Sequence, residues 1–160
     1  MEPYGTGCYF EDLPVGKKFS TIGRTITEAD LVAFCNCTGL TGELFTNHEY
    51  QKTKSVMKGR PAPGLLAFSF CEGFMGQGPI RGNGLALLNL EINFEGPVYL
   101  GDTVHCEVEI IEARISKSRN DSGLVRFQQR VVKQDGTTAV SYTSLRLIRR
   151  KSASANEAAG

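Results

Sequence analysis

Three residues of this chain could take part in chemistry because of their type and their position: Glu43, His48 and Gly64. Glu43 and His48 are the residues of their predicted loop segment that can do acid/base chemistry. Gly64 lies at the start of a predicted helix, where the first backbone N–H groups have no partner within the helix and can bind an anion or polarise a carbonyl. The structural alternatives are a solvated Glu, a surface or helix-capping His and a purely structural glycine.

The helix that would present Gly64 is predicted over 63–75, and it is apolar on nearly every side. Pro61 and Pro63 flank its start, and proline suits the first helical turn. A helix of this kind must be wrapped by other elements. Four β-rich segments follow it, at 85–94, 103–116, 123–134 and 137–149. The sequence therefore predicts an α+β hotdog fold, in which one curved antiparallel sheet wraps a long apolar central helix.

The segment before this helix predicts smaller elements. Residues 19–26 form a strand candidate with partial alternation, and a helix is expected over 27–37, with Gly39 as its C-terminal cap. Residues 41–47 are expected to be loop and 49–56 a short second helix. The loop thus precedes the helix that carries Gly64.

Length and composition predict one globular domain. The chain has 160 residues, of which 41% are hydrophobic and 22% charged, so residues 8–150 are expected to form a single domain. Residues 151–160 are small and polar and are expected to be a disordered tail. The net charge of +1 gives no basic footprint for nucleic acid.

The cysteines indicate a reducing environment and no metal site. They are five in number, without a CxxC pair, and are expected to be reduced thiols with small, mostly buried side chains: Cys8, Cys35, Cys37, Cys71 and Cys106. No apolar run reaches membrane-spanning length, and the first residues do not resemble a secretion signal. We therefore expect a cytoplasmic protein.

Several segments resemble the MaoC-like hotdog dehydratases and (R)-specific enoyl-CoA hydratases. The similar segments are 9–16, 34–39 and 94–103, and the likeness extends over about 8–149. The resemblance implies a homodimer, or a higher assembly of dimers, in which two sheets join edge to edge. It also implies an acyl-CoA thioester substrate in a tunnel near the interface and no further cofactor.

The resemblance also assigns roles to residues. In this family a loop carboxylate and a histidine five positions later hold and activate the water, while a glycine N–H at the start of the central helix polarises the thioester carbonyl. Gly64 matches that glycine. Shifting the loop by three residues matches Glu43 and His48 to the carboxylate and the histidine, whereas the ungapped alignment puts Leu40 and Phe45 there. Leu40 and Phe45 cannot transfer a proton.

The function expected from this resemblance is hydration or dehydration of an enoyl-CoA in fatty acid metabolism, with Glu43, His48 and Gly64 as catalytic residues. The expected substrate-binding residues are Phe45, Thr46, Asn47, Pro63 and Leu65. The alternative is a thioester-binding or structural hotdog protein that lacks the usual Asp/His pair.

Two further sets of charged residues each allow two interpretations. Glu72 lies inside the apolar helix and is either exposed or paired at a dimer interface, because a buried and unpaired carboxylate would be costly. Lys58, Arg60 and Arg81 either contact CoA phosphates or form a solvated basic face.

Overall fold

A 14-residue helix, α4 (Gly64–Gln77), packs against one face of a six-stranded antiparallel sheet. The computed structural model describes residue 1 and residues 5–151. Besides α4 and a 3₁₀ turn at Phe10–Asp12, its helices are α1 (Glu28–Thr38), α2 (Glu43–Thr46) and α3 (His48–Thr53). Its strands are β1 (Lys18–Ser20), β2 (Arg24–Thr25), β3 (Pro61–Ala62), β4 (Gly84–Phe94), β5 (Val98–Tyr99), β6 (Thr103–Ile115), β7 (Ser122–Lys133) and β8 (Thr138–Arg149).

The sheet has the order β1-β6-β7-β8-β4, and β2 also pairs with β6. Strands β6, β7 and β8 are sequential neighbours, whereas β4 pairs with β8 at a distant point of the chain. The four long strands begin and end within one residue of the predicted positions. The prediction of an antiparallel sheet around a central apolar helix is therefore confirmed.

Alternating side chains of the long strands form the core beneath α4. On β6, every second residue from Val104 to Ile110 is buried, as the two-residue period of a strand requires. On α4, the buried residues are Leu66, Ala67, Cys71, Phe74 and Met75. The core is therefore one continuous layer between helix and sheet.

Helix α1 has the ends expected from its sequence. The Thr27 side chain accepts a hydrogen bond from the Asp30 N–H, and Asp30 accepts one from the Thr27 N–H, which forms a capping box. At the other end Gly39 has a φ of 76°, a left-handed conformation that glycine adopts without a steric penalty.

Three local expectations differ from the structure. The strand expected over 19–26 is split into β1 and β2, because the Cys106 N–H donates to the side-chain hydroxyl of Thr21 instead of to a backbone carbonyl of the strand. The expected loop at 41–47 contains the helical turn α2, in which the Thr46 hydroxyl donates to the Thr41 and Gly42 carbonyls. The second helix occupies His48–Thr53 instead of 49–56.

The start of α4 is held by the small ladder between β3 and β5. Pro61 pairs with Tyr99 and Ala62 with Val98, and the Leu100 N–H donates to the Arg60 carbonyl. Pro63 is the N-terminal cap residue, so Gly64 is the first helical residue. The ladder fixes the position of this helix end relative to the turn that follows β4.

One side of α4 and most side chains of β4 remain uncovered in the single chain. Leu65, Ser69 and Gly73 of α4 are exposed, so the expected burial on every side holds only for the face toward the sheet. Strand β4 carries five exposed large apolar residues: Leu85, Leu87, Leu88, Leu90 and Phe94. Apolar surface of this extent is typical of an interaction face.

Four of the five cysteines are buried and Cys37 is exposed. Within the part of the chain that the structure describes, no helix is long and apolar enough to cross a membrane. Lys151, the first residue of the predicted tail, bonds to Glu11 and Asp12. The rest of the predicted tail lies outside the described residues.

Candidate active site at the start of helix α4

A cavity of about 360 Å³ opens at the start of α4. Its wall comes from three places: α2 and the loop after α3 (Leu44, Phe45, Met57), the start of α4 (Ala62, Pro63, Gly64), and the turn between β4 and β5 (94–98). Most of these side chains are apolar. The cavity therefore suits an apolar ligand with a polar group directed at the helix end.

Gly64 provides the polar feature of this wall. It is the first residue of α4, and no described residue accepts a hydrogen bond from its N–H. The aligned peptide dipoles of the helix add partial positive charge at the same point. A carbonyl oxygen in the cavity can accept a hydrogen bond from this N–H and become polarised.

The ring of Phe94 lies directly over Gly64. A Cβ added at Gly64 would lie 2.6 Å from Cδ1 and 2.8 Å from Cε1 of Phe94, closer than real Cβ atoms approach other carbons. A side chain at residue 64 therefore fits only if the Phe94 ring, which is 53% exposed, shifts away from the helix end. This contact is compatible both with a glycine that serves packing alone and with a glycine whose N–H binds a ligand.

Phe45 lies on the cavity wall and is half-buried. Helix α2, which carries it, is tied to α3 because the buried Gln51 side chain donates to the Leu44 carbonyl at 2.8 Å. In the ungapped alignment Phe45 has the place of the family's histidine. At that point of the cavity this chain has an aromatic ring that cannot exchange a proton.

Glu43 and His48 are exposed and do not line the cavity. Glu43 accepts a hydrogen bond from the Asn47 side chain at 2.9 Å. His48 acts electrostatically on Glu28 of α1: the Arg60 guanidinium, 2.9 Å from Glu28, and then His48 hold the pKa of that carboxyl below its usual value. The structure thus gives the two residues different neighbours, and their catalytic role stays a prediction.

The remaining predicted residues divide between the cavity and its surroundings. Pro63 lies on the wall, whereas Thr46, Asn47 and Leu65 do not. Asn47 caps α3, because its side-chain oxygen accepts from the Glu49 and Tyr50 N–H groups at 3.0 and 3.1 Å. Leu40, the ungapped match to the family's carboxylate, is 36% exposed and also lies outside the wall.

Glu95 is a cavity residue that sequence reasoning missed. It belongs to a segment that carries the family resemblance, but its carboxylate was given no chemical role. Of the residues on the cavity wall it is the titratable one. Its sequence position, directly after a predicted strand and before Gly96-Pro97, is the pattern that could have drawn attention to it.

A buried polar network lies on the sheet side of α4. Glu72 forms an ion pair with Arg146 and accepts a hydrogen bond from the Tyr142 hydroxyl at 3.1 Å. Gln129 donates to the same hydroxyl at 2.7 Å and accepts from Ser144 at 2.5 Å. Burial raises the pKa of Tyr142 well above its usual range, so its hydroxyl stays protonated and able to donate.

Of the basic residues considered for CoA phosphates, Arg60 is the one with an ion pair, to Glu28 at 2.9 Å. Its Nε is buried and has no hydrogen-bond partner among the described residues. Lys58 and Arg81 are exposed. The structure places Arg60 close to the cavity, because it precedes Pro61 of the β3–β5 ladder.

The class of protein follows from comparison with known sequences. The profile of the FAS1-like, dehydratase domain region matches residues 14–141, so the chain belongs to this family. The (R)-specific enoyl-CoA hydratase of Rhodospirillum rubrum is 33% identical over 102 residues, which cover 64% of this chain and 69% of the relative. The resemblance noted in the sequence is confirmed.

Solved structures agree on the fold. A MaoC-like dehydratase from Rhodospirillum rubrum superposes with a TM-score of 0.80 at 23% identity, covering 91% of this chain and 99% of that one. A conserved Mycobacterium tuberculosis protein with a double hotdog fold gives a TM-score of 0.80 at 19% identity, and the match covers 91% of this chain and 45% of that one. The chain therefore has the hotdog fold of the MaoC-like dehydratases.

Proposed function

We propose that this protein catalyses the reversible hydration of an enoyl-CoA thioester in fatty acid metabolism. The observation that carries the proposal is the unpartnered N–H of Gly64, which is the first residue of α4 and lies on the wall of a largely apolar cavity in a chain of the dehydratase family. The curated relative with hydratase activity supports the choice of a CoA thioester.

In this proposal the Gly64 N–H donates a hydrogen bond to the thioester oxygen. Addition of water to the enoyl group places negative charge on that oxygen, and a fixed donor stabilises the charge more in the transition state than in the ground state. The apolar side chains of Leu44, Phe45 and Met57 would contact the acyl chain. Phe94 would position the thioester against the helix end.

The reaction also needs a group that transfers protons. Glu43 and His48 are the candidates that the family resemblance supplies, and they stay candidates under this proposal. Replacing them as Glu43→Gln and His48→Ala tests the assignment, because a working acid/base group contributes about 10²–10⁴-fold to the rate. If the hydration rate of the variants falls by only about twofold, neither residue is the acid/base group.

A second candidate function is thioester binding without catalysis, or a structural role beside an active partner. Phe45 on the cavity wall favours it, because this ring has the place of the family's histidine in the ungapped alignment. The two functions share the cavity and differ in turnover.

The proposed assembly is a homodimer joined along β4. This strand is the long edge strand of the sheet in the described chain, opposite the edge formed by the short strands β1 and β2, and its exposed leucines would be covered by a second copy. The proposed location is the cytoplasm, where a reducing environment suits cysteines that form no disulfide with one another in the described residues.

The first experiment measures hydration of crotonyl-CoA and of longer and branched enoyl-CoAs, together with binding of the unreactive butyryl-CoA. Turnover with at least one enoyl-CoA is expected. Butyryl-CoA binding without turnover on any substrate would reject the hydratase and favour the second candidate.

A second experiment isolates the Gly64 N–H. In a Phe94→Ala background, which makes room for a side chain, Gly64→Ala keeps the N–H and Gly64→Pro removes it. Proline is acceptable at the first helical position, and the ψ of 133° at Pro63 is compatible with a following proline. The proline variant is expected to be slower than the alanine variant by about 10²–10³-fold, the usual cost of losing one oxyanion donor. Equal rates would reject the role of this N–H.

A further inference from the structure

Glu95 is the titratable residue on the wall of the cavity that Gly64 also lines. The other ten wall residues are glycine, proline or apolar residues, and none of them can exchange a proton. Any proton transfer to a ligand in this cavity by a wall side chain therefore involves Glu95.

The backbone at Glu95 is fixed on both sides. The N–H groups of Glu95 and Gly96 both donate to the Ala139 carbonyl, at 2.9 and 3.2 Å, which ties the turn after β4 to strand β8. The preceding residue, Phe94, pairs with Val140 and covers Gly64 with its ring. Adjacent Cα atoms are about 3.8 Å apart, so Glu95 is held one residue away from the group that contacts the helix end.

The Glu95 carboxylate is available for chemistry. No hydrogen bond or ion pair joins it to another residue in the described ranges 1 and 5–151, and its side chain is exposed to water at the cavity wall. By contrast, most other carboxylates near this end of the molecule are engaged: Glu43 with Asn47, Glu28 with Arg60, and Asp102 with the Tyr99 N–H.

We propose that Glu95 is the catalytic acid/base residue of the cavity. This inference rests on the proposed hydratase function. The Glu95 carboxylate takes a proton from water while the water oxygen forms a bond to C3 of the enoyl group. The C2=C3 π electron pair moves to C2 and is delocalised onto the thioester oxygen, which accepts the Gly64 hydrogen bond.

The second half of the reaction returns the proton. The Glu95 carboxylic acid donates its proton to C2, a C2–H bond forms, and the thioester carbonyl is restored. The net change is one water added across C2=C3, and Glu95 ends in its initial ionised state. A single carboxyl group thus handles both proton transfers, which removes the need for a histidine at the Phe45 position.

The test compares Glu95→Gln with Glu109→Gln in the full chain. Glu109 is a matched control: a glutamate on β6, 41% exposed, whose surface ion pair with Lys18 contributes little. For Glu95→Gln the kcat for crotonyl-CoA hydration is expected to fall by about 10²–10⁴-fold. Butyryl-CoA affinity should change by less than about threefold, because the amide has the same shape, and Glu109→Gln should match the wild type.

A rescue experiment separates proton transfer from a structural role. In Glu95→Ala, added formate is expected to restore part of the hydration rate, since it can act as the missing carboxylate in the space vacated by the side chain. A Glu95→Gln variant within about twofold of an active wild type overturns the assignment and leaves the hydratase intact. Lost activity without formate rescue, or with lost butyryl-CoA binding, also overturns it. Absence of turnover in the wild type rejects the proposed function itself.

Discussion

At the scale of single residues, the contact between Gly64 and Phe94 determines what the helix end can do. The ring packs where a Cβ would otherwise lie, so the backbone of Gly64 is both covered on one side and accessible beside the ring. Because of this close approach, even a methyl group at residue 64 would contact the Phe94 ring.

Gly64→Ala is expected to lower the free energy of unfolding by about 1–3 kcal/mol, the usual cost of overpacking. Gly73→Ala is the matched control in the same helix, because a Cβ at Gly73 has no atom within 4 Å. That control should gain about 0.5–1 kcal/mol, since alanine is the better helix residue. Urea unfolding of both variants measures the difference.

The Phe94→Ala substitution should relieve the strain of Gly64→Ala in the double variant. If the double variant is no more stable than the sum of the single changes predicts, the clash is not the cause of the loss.

The Glu72–Arg146 ion pair is a second residue-scale feature with a clear energetic consequence. The Glu72 side chain is 20% exposed and the Arg146 side chain 9%, so each charge is stabilised mainly by the other and little by water. Glu72→Leu is expected to destabilise the protein by about 3–5 kcal/mol, because it leaves Arg146 without its partner. Denaturant unfolding measures the loss.

The double variant Glu72→Leu/Arg146→Met tests whether the unpaired charge of Arg146 causes the loss of stability. Removing both charges should recover most of the stability, as replacement of buried ion pairs by apolar residues often does. A single variant that loses less than about 1 kcal/mol would contradict the dependence of Arg146 on Glu72.

At the scale of elements, Asn47 connects the two short helices near the cavity. Its oxygen caps α3, and its amide donates to Glu43 of α2. Asn47→Ala is expected to cost about 0.5–2 kcal/mol, whereas Asn47→Ser, which keeps a capping oxygen, should cost less. Thermal unfolding distinguishes them, and equal losses would contradict the capping role.

The elements that the sequence predicts well are those defined by local patterns. The capping box at Thr27, the left-handed Gly39 and the alternation along β6 to β8 are each visible in neighbouring residues. The break between β1 and β2 is different, because it depends on bonds from Thr21 to Cys106 on a distant strand. Such tertiary contacts are absent from local sequence patterns.

In the candidate site, too, some residues could be predicted from local sequence patterns, whereas others depend on tertiary contacts. Gly64 and Pro63 were predictable because a helix start has a local pattern, and the structure places both on the cavity wall. Glu95 joins that wall only because β4 runs along the edge of the sheet and brings its last residue, Phe94, against the start of α4. The Arg146 partner of Glu72 likewise comes from a strand far along the chain.

At the scale of the whole molecule, the exposed edge strand β4 predicts self-association. Leu88→Lys is expected to shift the protein from dimer to monomer, because a charged residue on an edge strand opposes strand pairing. Ile22→Lys is the control: Ile22 is 71% exposed, compared with 53% for Leu88, and lies between β1 and β2. Light scattering after gel filtration gives the masses. A monomeric wild type would contradict the proposed interface.

The order of the strands also has a consequence for how the chain folds. Strands β6, β7 and β8 pair with their sequential neighbours, while β4 pairs, among the described strands, with β8, which begins only at Thr138. Closing that long loop is slow compared with forming the local hairpins. During synthesis on the ribosome, β4 emerges well before β8, so the backbone N–H and C=O groups along β4 have no partner strand until β8 has been made. The edge of β4 is therefore open to pairing with other chains during this interval.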